Sequence, residues 1–229
     1  MSWVVQTLTS SIGKKVIMAL SGLFLIIFLI GHLSGNFLLL KSDGGKAFNE
    51  YAEFMTTNQI VQVIRYILYA GILLHIFYAI ALTIYNNKAR PVGYKMSRAN
   101  ENSSWISRNM GLLGTLIAVF LVIHLRSFWY RMKFGEMPEV TYESVGTVKD
   151  LYAIVYEAFA ELWYTGLYVV LMVFLALHLA HGFHSAFRTL GLRHSKYLPI
   201  VKNIGLAFAI IVPALFASLA VVMYIKSLG

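Results

Sequence analysis

The 229-residue chain contains no cysteine, and this absence excludes several kinds of chemistry. Without thiols the chain forms no disulfide, holds no iron–sulfur cluster on thiolates and attaches no haem covalently through a C-x-x-C-H motif. It also has no G-x-G-x-x-G or P-loop sequence, so no nucleotide site is visible. A flavin, a nucleotide or an iron–sulfur cluster would therefore have to belong to another chain.

Charged residues are scarce as well. They make up 13% of the chain, compared with about 25% in a typical soluble domain, whereas 59% of the residues are hydrophobic. About 20 helical residues cross a bilayer core, and five apolar segments meet that length, the third only if Arg126 extends its charge to the interface. The sequence therefore predicts an all-α integral membrane protein with one membrane domain, residues 1–229. The five transmembrane helices are predicted at residues 15–40, 64–87, 109–131, 162–188 and 203–226.

The charges of the loops differ between the two sides of the membrane. With the N-terminus inside, eleven basic residues and Glu101 lie on the inner side, which leaves eight basic and nine acidic residues outside from totals of 19 and 10. Because basic loops stay in the cytoplasm, we expect a multi-pass protein of the inner (cytoplasmic) cell membrane with its N-terminus cytoplasmic and its C-terminus outside. This topology explains the net charge of +9, and nucleic acid is not needed as a partner. The inner basic residues are Lys14, Lys15, Lys88, Arg90, Lys95, Arg98, Arg108, Arg188, Arg193, Lys196 and Lys202.

The two outer loops are predicted to be partly helical. In residues 41–65 the stretch FNEYAEFM, and in residues 132–161 the stretch VKDLYAIVYEAFAELW, repeat apolar residues at a spacing of three to four. We expect short amphipathic helices that lie along the outer interface.

Histidine is costly in hydrocarbon, so an intramembrane histidine is a candidate functional residue. At 1.5 Å per helical residue, His32 and His124 both lie in the outer halves of their helices. His75 lies near the middle of helix two and His178 in the inner half of helix four. The depths therefore predict an outer pair, from helices one and three, and an inner pair, from helices two and four. The histidines of the first four helices are His32, His75, His124, His178, His181 and His184.

Two imidazoles that face each other from different helices at one depth are what a b-type haem with two histidine ligands requires. Two such layers predict two haems, one above the other, inside the bundle. A single histidine in a membrane helix is often only hydrogen-bonded to a neighbouring helix, and the pairing in two layers is what favours haem.

Small residues beside the ligands would let a macrocycle approach the helix backbones. Gly31 and Gly35 flank the histidine of helix one, and Gly182 lies one turn after His178 on the same face. This H-x-x-x-G spacing favours His178 as the helix-four ligand, with His181 as the second choice.

Five stretches of the chain carry a family likeness: FLIGHLSGN in helix one, AFNEYAEFM after it, LLHIFYAIAL in helix two, VIHLRSFWY in helix three and LALHLAHGFHSAFRTLG in helix four. Through them, from about residue 14 to residue 225, the chain resembles the cytochrome b subunit of succinate:quinone oxidoreductases. This subunit is the membrane anchor of succinate dehydrogenases and fumarate reductases, here of the five-helix, dihaem type. The resemblance implies that His32 and His124 bind the haem iron far from the soluble subunits. It implies that His75 and His178 bind the nearer haem iron.

The resemblance also implies partners and a reaction. A flavoprotein with FAD and an iron–sulfur subunit would dock on the cytoplasmic side, as in respiratory complex II of the tricarboxylic acid cycle, and the complex could form a higher oligomer. The chain would be the non-flavin subunit of this enzyme. Electrons from succinate would pass through the iron–sulfur centres and the two haem b groups to a membrane quinone near the outer surface, or run in reverse during fumarate reduction.

Charged residues near the two ends of the bundle are candidates for contacts with these groups. Arg188 is placed to pair with propionates of the inner haem, and Arg126 and Arg131 with those of the outer haem; interfacial anchoring is the alternative for each. Glu50 and Glu53 are candidate carboxylates beside an outer quinone, where they could relay protons. The alternative is that both residues simply lie on the water-exposed face of an interfacial helix.

Two positions depart from the family pattern, and two other functions stay open. Ala176 stands where some relatives carry a membrane glutamate for proton movement, so that route is not supported. Thr56 stands where relatives place an acidic residue. The first alternative function is a dihaem cytochrome b of another quinone-linked dehydrogenase, such as a hydrogenase or formate dehydrogenase. The second is a haem-free, histidine-containing transporter.

Overall fold

The structure is a computed structural model that describes residues 2–88, 103–192 and 194–229. Several of the charges assigned to the inner loops lie outside these ranges, namely Arg90, Lys95, Arg98, Glu101 and Arg193.

The described chain is about 82% helical, and five of its helices are long and apolar enough to cross a membrane. The prediction of an all-α membrane protein is confirmed at this level. These membrane-length segments are Ser11–Leu40, Gln59–Asn86, Met110–Phe134, Leu162–Thr189 and Leu198–Ser227. In chain order the elements are α1 Trp3–Thr9, α2 Ser11–Asn36, a 3-10 turn Phe37–Leu40, α3 Lys46–Thr57, α4 Gln59–Lys88, α5 Trp105–Arg108, α6 Met110–His124, a π-helix Leu125–Tyr130, α7 Arg131–Phe134, β1 Glu139–Tyr142, β2 Gly146–Lys149, α8 Leu151–Ala160, α9 Leu162–Thr189 and α10 Leu198–Ser227.

Three of the long helices begin about one turn earlier than predicted, and the first of them, α2, begins at Ser11 rather than near residue 15. Helix α4 begins at Gln59 rather than near residue 64, because Asn58 Oδ1 accepts hydrogen bonds from the backbone N–H groups of Ile60 (3.0 Å) and Val61 (3.2 Å). Helix α10 begins at Leu198 rather than near residue 203, with a proline in its first turn, where no N–H is required. Hydropathy marks the membrane-embedded part of a helix, whereas capping groups decide where the helix starts.

Helix α9 ends where a glycine allows a left-handed turn. Gly191 has φ +86°, the N–H of Leu192 bonds to Phe187 O (3.1 Å) and the N–H of Gly191 bonds to Arg188 O (3.3 Å). This pair of bonds is a Schellman motif, which satisfies the last carbonyls of the helix. The chain then turns back into α10.

The predicted outer helices are present, together with a hairpin that the sequence did not suggest. Helices α3 and α8 occupy the two amphipathic stretches. Between α7 and α8 the strands β1 and β2 form an antiparallel hairpin in the register Glu139↔Lys149 to Tyr142↔Gly146. Residues 132–161 are therefore not purely helical. Four-residue strands carry too little alternation to be distinguished from a loop.

We name the two ends of the bundle by their contents. The upper end carries α3, the hairpin and α8, and the lower end carries α1, α5, residues 190–192 and residues 194–197. At the upper end α8 packs with α9 and α10 around Phe159, Tyr168 and Met223. Helix α10 buries 33% of its most apolar stretch, whereas α4 buries none of its own. The interior of the bundle is therefore packed more densely around α9 and α10 than around α4.

Candidate cofactor site

Four helices bring histidines together at two levels of the bundle. At the upper level His32 on α2 and His124, the last residue of α6, have ring centres 5.7 Å apart with planes at 89°. At the lower level His75 on α4 and His178 on α9 have ring centres 6.2 Å apart with planes at 68°. We call these the upper pair and the lower pair. They are the two pairs expected from helix depth.

Both separations fit two imidazoles that share one metal ion. An imidazole nitrogen binds a transition metal at about 2.0–2.1 Å and the ring centre lies about 1 Å further, so two rings on opposite sides of one metal have centres about 6 Å apart. Among the described residues no group of three or more His, Cys, Asp or Glu is arranged to hold a metal. A metal between either pair would therefore need to bring its remaining ligands with it, as the iron of a haem does.

The Nδ1 atoms of two histidines are engaged by hydroxyl groups, and in the tautomer that carries its proton on Nδ1 the Nε2 atom is left to bind a metal. Ser21 Oγ lies 3.1 Å from His75 Nδ1 and donates to Met18 O (3.1 Å). Tyr168 Oη lies 3.2 Å from His124 Nδ1. In contrast, the buried Nδ1 of His178 has no hydrogen-bond partner within the described part of the chain.

The upper pair is enclosed by aromatic rings. Phe28 stacks on His32 with ring centres 5.3 Å apart, and Phe216 lies 5.6 Å from the same ring. Phe120 and Phe128 lie 5.7 Å and 5.3 Å from the ring of His124. These side chains come from α2, α6, α10 and the π-helix, and they pack against the two imidazoles, which remain partly exposed.

The lower pair is bordered by glycine instead. A Cβ on Gly22 would lie 3.3 Å from His75 Cε1, so α2 can approach this ring only without a side chain. A Cβ on Gly182, one turn from His178, would meet no atom within 4 Å. Open space beside a proposed ligand is what a macrocycle needs. Of the two glycines beside His32, Gly31 is open in the same way, whereas Gly35 is covered by Tyr51 and offers no such space.

The other two histidines of α9 lie closer to the lower end. The ring of His178, not that of His181, contacts His75. His184 lies within electrostatic range of Arg188 and Lys202. Arg188 therefore stands at the lower end of α9, as expected, within a small cationic cluster.

Arg126 and Arg131 line a cavity of about 670 Å³ at the upper end, which we call the upper cavity. The guanidinium of Arg126 stacks on Tyr130 at 4.6 Å, and Arg131 pairs with Glu157 at 3.5 Å. The cavity is lined by Arg126, Ser127, Tyr130, Arg131, Gly135, Glu136, Glu157, Ala158, Glu161, Trp163 and Tyr164.

Glu50 and Glu53 of α3 lie in different surroundings. Glu50 pairs with Lys46 at 3.8 Å and accepts a hydrogen bond from Ser144 on the hairpin turn. Glu53 lines a second cavity, of about 320 Å³, with Thr56 and residues of α7 and the hairpin. Between them Tyr51 covers Gly35, and burial raises the pKa of its hydroxyl above the ordinary value for tyrosine.

Three features of the site were missed from the sequence. A π-helix, a form often found at functional sites, follows His124 directly. Tyr168 bonds to His124, and Tyr164 bonds to Tyr168, although both read as ordinary interfacial aromatics. The depth estimate used for the histidines could have found Tyr168, because α9 and α6 run in opposite directions and bring it level with His124.

Comparison of the chain with models of protein families, with curated proteins and with solved structures gives no match. What the described residues establish is a class: a helical protein with five membrane-length helices and two histidine pairs between them.

Proposed function

We propose that this protein is the dihaem cytochrome b membrane anchor of a succinate dehydrogenase or fumarate reductase, and that it carries electrons between an iron–sulfur subunit and membrane quinone. One observation supports this more than any other. Two histidine pairs, each from two different helices, stand at two depths with ring centres 5.7 Å and 6.2 Å apart.

In this proposal His32 and His124 hold the upper haem and His75 and His178 the lower haem. Bound haem supplies reversible one-electron chemistry. The protein holds the rings in place through Tyr168 and Ser21 and packs phenylalanine rings against the upper pair. Arg126 and Arg131 at the upper end and Arg188 at the lower end would neutralise propionates.

Charge supports one direction across the membrane. The lower end carries Lys14, Lys15, Lys196 and Lys202, so it is proposed to face the cytoplasm. The flavoprotein and iron–sulfur subunits would dock there, and they would supply the nucleotide site and the iron–sulfur cysteines that this chain lacks. The upper end would then face outward, where quinone is proposed to react.

The test of the haem proposal is a visible spectrum of the purified protein with its natural partners. We expect a b-type spectrum and two haems per chain by pyridine haemochrome. A preparation without extractable haem would reject the proposal and favour a histidine-containing transporter. If the protein co-purifies with a hydrogenase or formate dehydrogenase instead of a succinate-oxidising flavoprotein, the dihaem proposal stands and the proposed partner is wrong.

Glu50 and Glu53 remain the proposed carboxylates on the quinone side. Glu53→Gln and Glu50→Gln should each lower quinone reduction while haem content and succinate-to-dye electron transfer stay unchanged. Because Glu53 lines a cavity, we expect Glu53→Gln to lower quinone reduction more than Glu50→Gln does. Full quinone activity in the double variant would remove both carboxylates from the reaction.

A further inference from the structure

Two buried tyrosines connect the upper cavity to the upper histidine pair. Tyr164 and Tyr168 lie one turn apart on α9, each 6% exposed, with their hydroxyl oxygens 2.9 Å apart. Tyr168 Oη lies 3.2 Å from His124 Nδ1, and Tyr164 lines the upper cavity. A hydrogen-bonded row therefore runs from Tyr164, a residue that lines the cavity, through Tyr168 to one histidine.

The direction of this row follows if His124 binds a metal. A neutral imidazole that uses Nε2 as a ligand carries its proton on Nδ1, so His124 donates to Tyr168 Oη. Tyr168 then donates its own proton to Tyr164 Oη. Without a metal the reverse row, from Tyr164 to Tyr168 to Nδ1, satisfies the same three groups, so it is metal binding at Nε2 that selects this direction and the Nδ1–H tautomer of His124.

At the lower pair the hydrogen-bonded row contains a single hydroxyl group. Ser21 Oγ faces His75 Nδ1 and donates to Met18 O, so this row ends at a backbone carbonyl. The upper row instead ends at Tyr164, which lines the upper cavity together with Glu161 and the Arg131–Glu157 pair.

We propose that Tyr168 is a positioning residue for His124, and that Tyr164 joins it to the upper cavity, so that the cavity tunes the upper haem but not the lower one. This inference rests on the proposed function. A hydrogen bond that accepts the Nδ1 proton orients a ligating histidine and makes it a stronger electron donor. That donation stabilises the oxidised metal.

The experiment compares Tyr168→Phe and Tyr164→Phe in the whole complex with a matched control, Tyr156→Phe. Tyr156 is also a tyrosine of the upper end, but its hydroxyl donates to Lys226 O (3.0 Å) and not toward a histidine. The measurements are haem content, redox titration resolved for the two haems, and electron paramagnetic resonance of the oxidised protein.

For Tyr168→Phe we expect both haems to be retained, the midpoint potential of one haem to rise and the resonance of that haem to change. Tyr164→Phe should shift the same haem in the same direction by a smaller amount, and Tyr156→Phe should shift neither. Loss of one haem in Tyr168→Phe alone, with the chain still in the membrane, would also support positioning.

Unchanged potentials and resonances in Tyr168→Phe would overturn the inference while leaving the dihaem proposal intact. Equal effects in Tyr156→Phe would overturn it too, because they would show a general loosening of the upper end. Absence of haem from the wild-type complex would reject the proposed function itself.

Discussion

The upper and lower histidine pairs have similar separations but different surroundings. Phenylalanine rings from four elements pack against the upper pair, and its hydroxyl row ends at Tyr164, which lines a cavity. The lower pair lies beside Gly22 and the open space at Gly182, with further histidines toward the lower end. Hydrogen bonding is one means by which a protein tunes a haem, and it differs between the pairs. The same kind of histidine pair thus stands in two environments that can be altered separately.

The largest expected effect comes from removing a proposed ligand of the lower pair. His178→Ala should eliminate one of two haems, leave the other with its normal spectrum and abolish succinate-to-quinone activity, because one imidazole alone holds the iron weakly. Haem stoichiometry and difference spectra measure this. His181→Ala, three residues further along α9, is the control and should retain both haems. The reverse result would make His181 the ligand.

The next effect tests whether the open space at the lower pair holds a cofactor. Gly182→Ala adds a methyl group that meets no protein atom within 4 Å, and in a helix alanine is favoured over glycine by about 0.5–1 kcal/mol. The fold should therefore tolerate the change, yet most of the lower haem should be lost. Gly166→Ala on the same helix also meets no atom within 4 Å and should lose none. Full haem content in Gly182→Ala would show that the space is not occupied by the macrocycle.

The upper pair should depend on the elements that cover it. Buried Asn49, 1% exposed, donates to Asp150 Oδ1 (2.8 Å) and Tyr142 Oη (3.1 Å) and accepts from the N–H of Tyr152 (2.9 Å), which joins α3 to the hairpin and α8. Asn49→Ala should destabilise this end by about 1–3 kcal/mol, because it leaves buried polar groups without partners.

Thermal release of each haem, followed by its spectrum, measures the effect of Asn49→Ala. The upper haem should be released at a lower temperature than in the wild type and the lower haem at an unchanged one. Thr141→Ala, which removes an exposed hydroxyl contact with Thr147 (2.9 Å), is the control and should change stability by less than about 0.5 kcal/mol. Equal loss of both haems in Asn49→Ala would argue against separate upper and lower stability.

The smallest expected effect concerns the hydroxyl beside His75. Ser21→Ala should retain both haems but weaken the lower one, since loss of such a partner costs about 10-fold or more in metal affinity. Transfer of haem to an excess of an acceptor protein gives the release rate for each haem. Ser34→Ala, also on α2, removes a hydroxyl that donates only to Ile30 O (2.8 Å) and should change neither rate. A faster release of the upper haem in Ser21→Ala would contradict the separation of the two pairs.

The sequence alone determined the membrane class, the number of long helices and the level at which each histidine lies. These properties depend on hydropathy and on the fixed rise of a helix, which are local and can be read along the chain. His32 with His124, and His75 with His178, meet because four regular helices carry them to two depths.

Only the tertiary structure decided how each histidine is held and where the space beside it lies. Tyr168 is 44 positions from His124 and Tyr152 is 103 from Asn49, so no periodicity relates them. Gly35 and Gly182 both have helical spacing to a histidine, but Tyr51 from another helix covers the first, whereas no described residue lies within 4 Å of a Cβ built on the second. Spacing places a residue on a face, and the neighbours that fill that face come from distant parts of the chain.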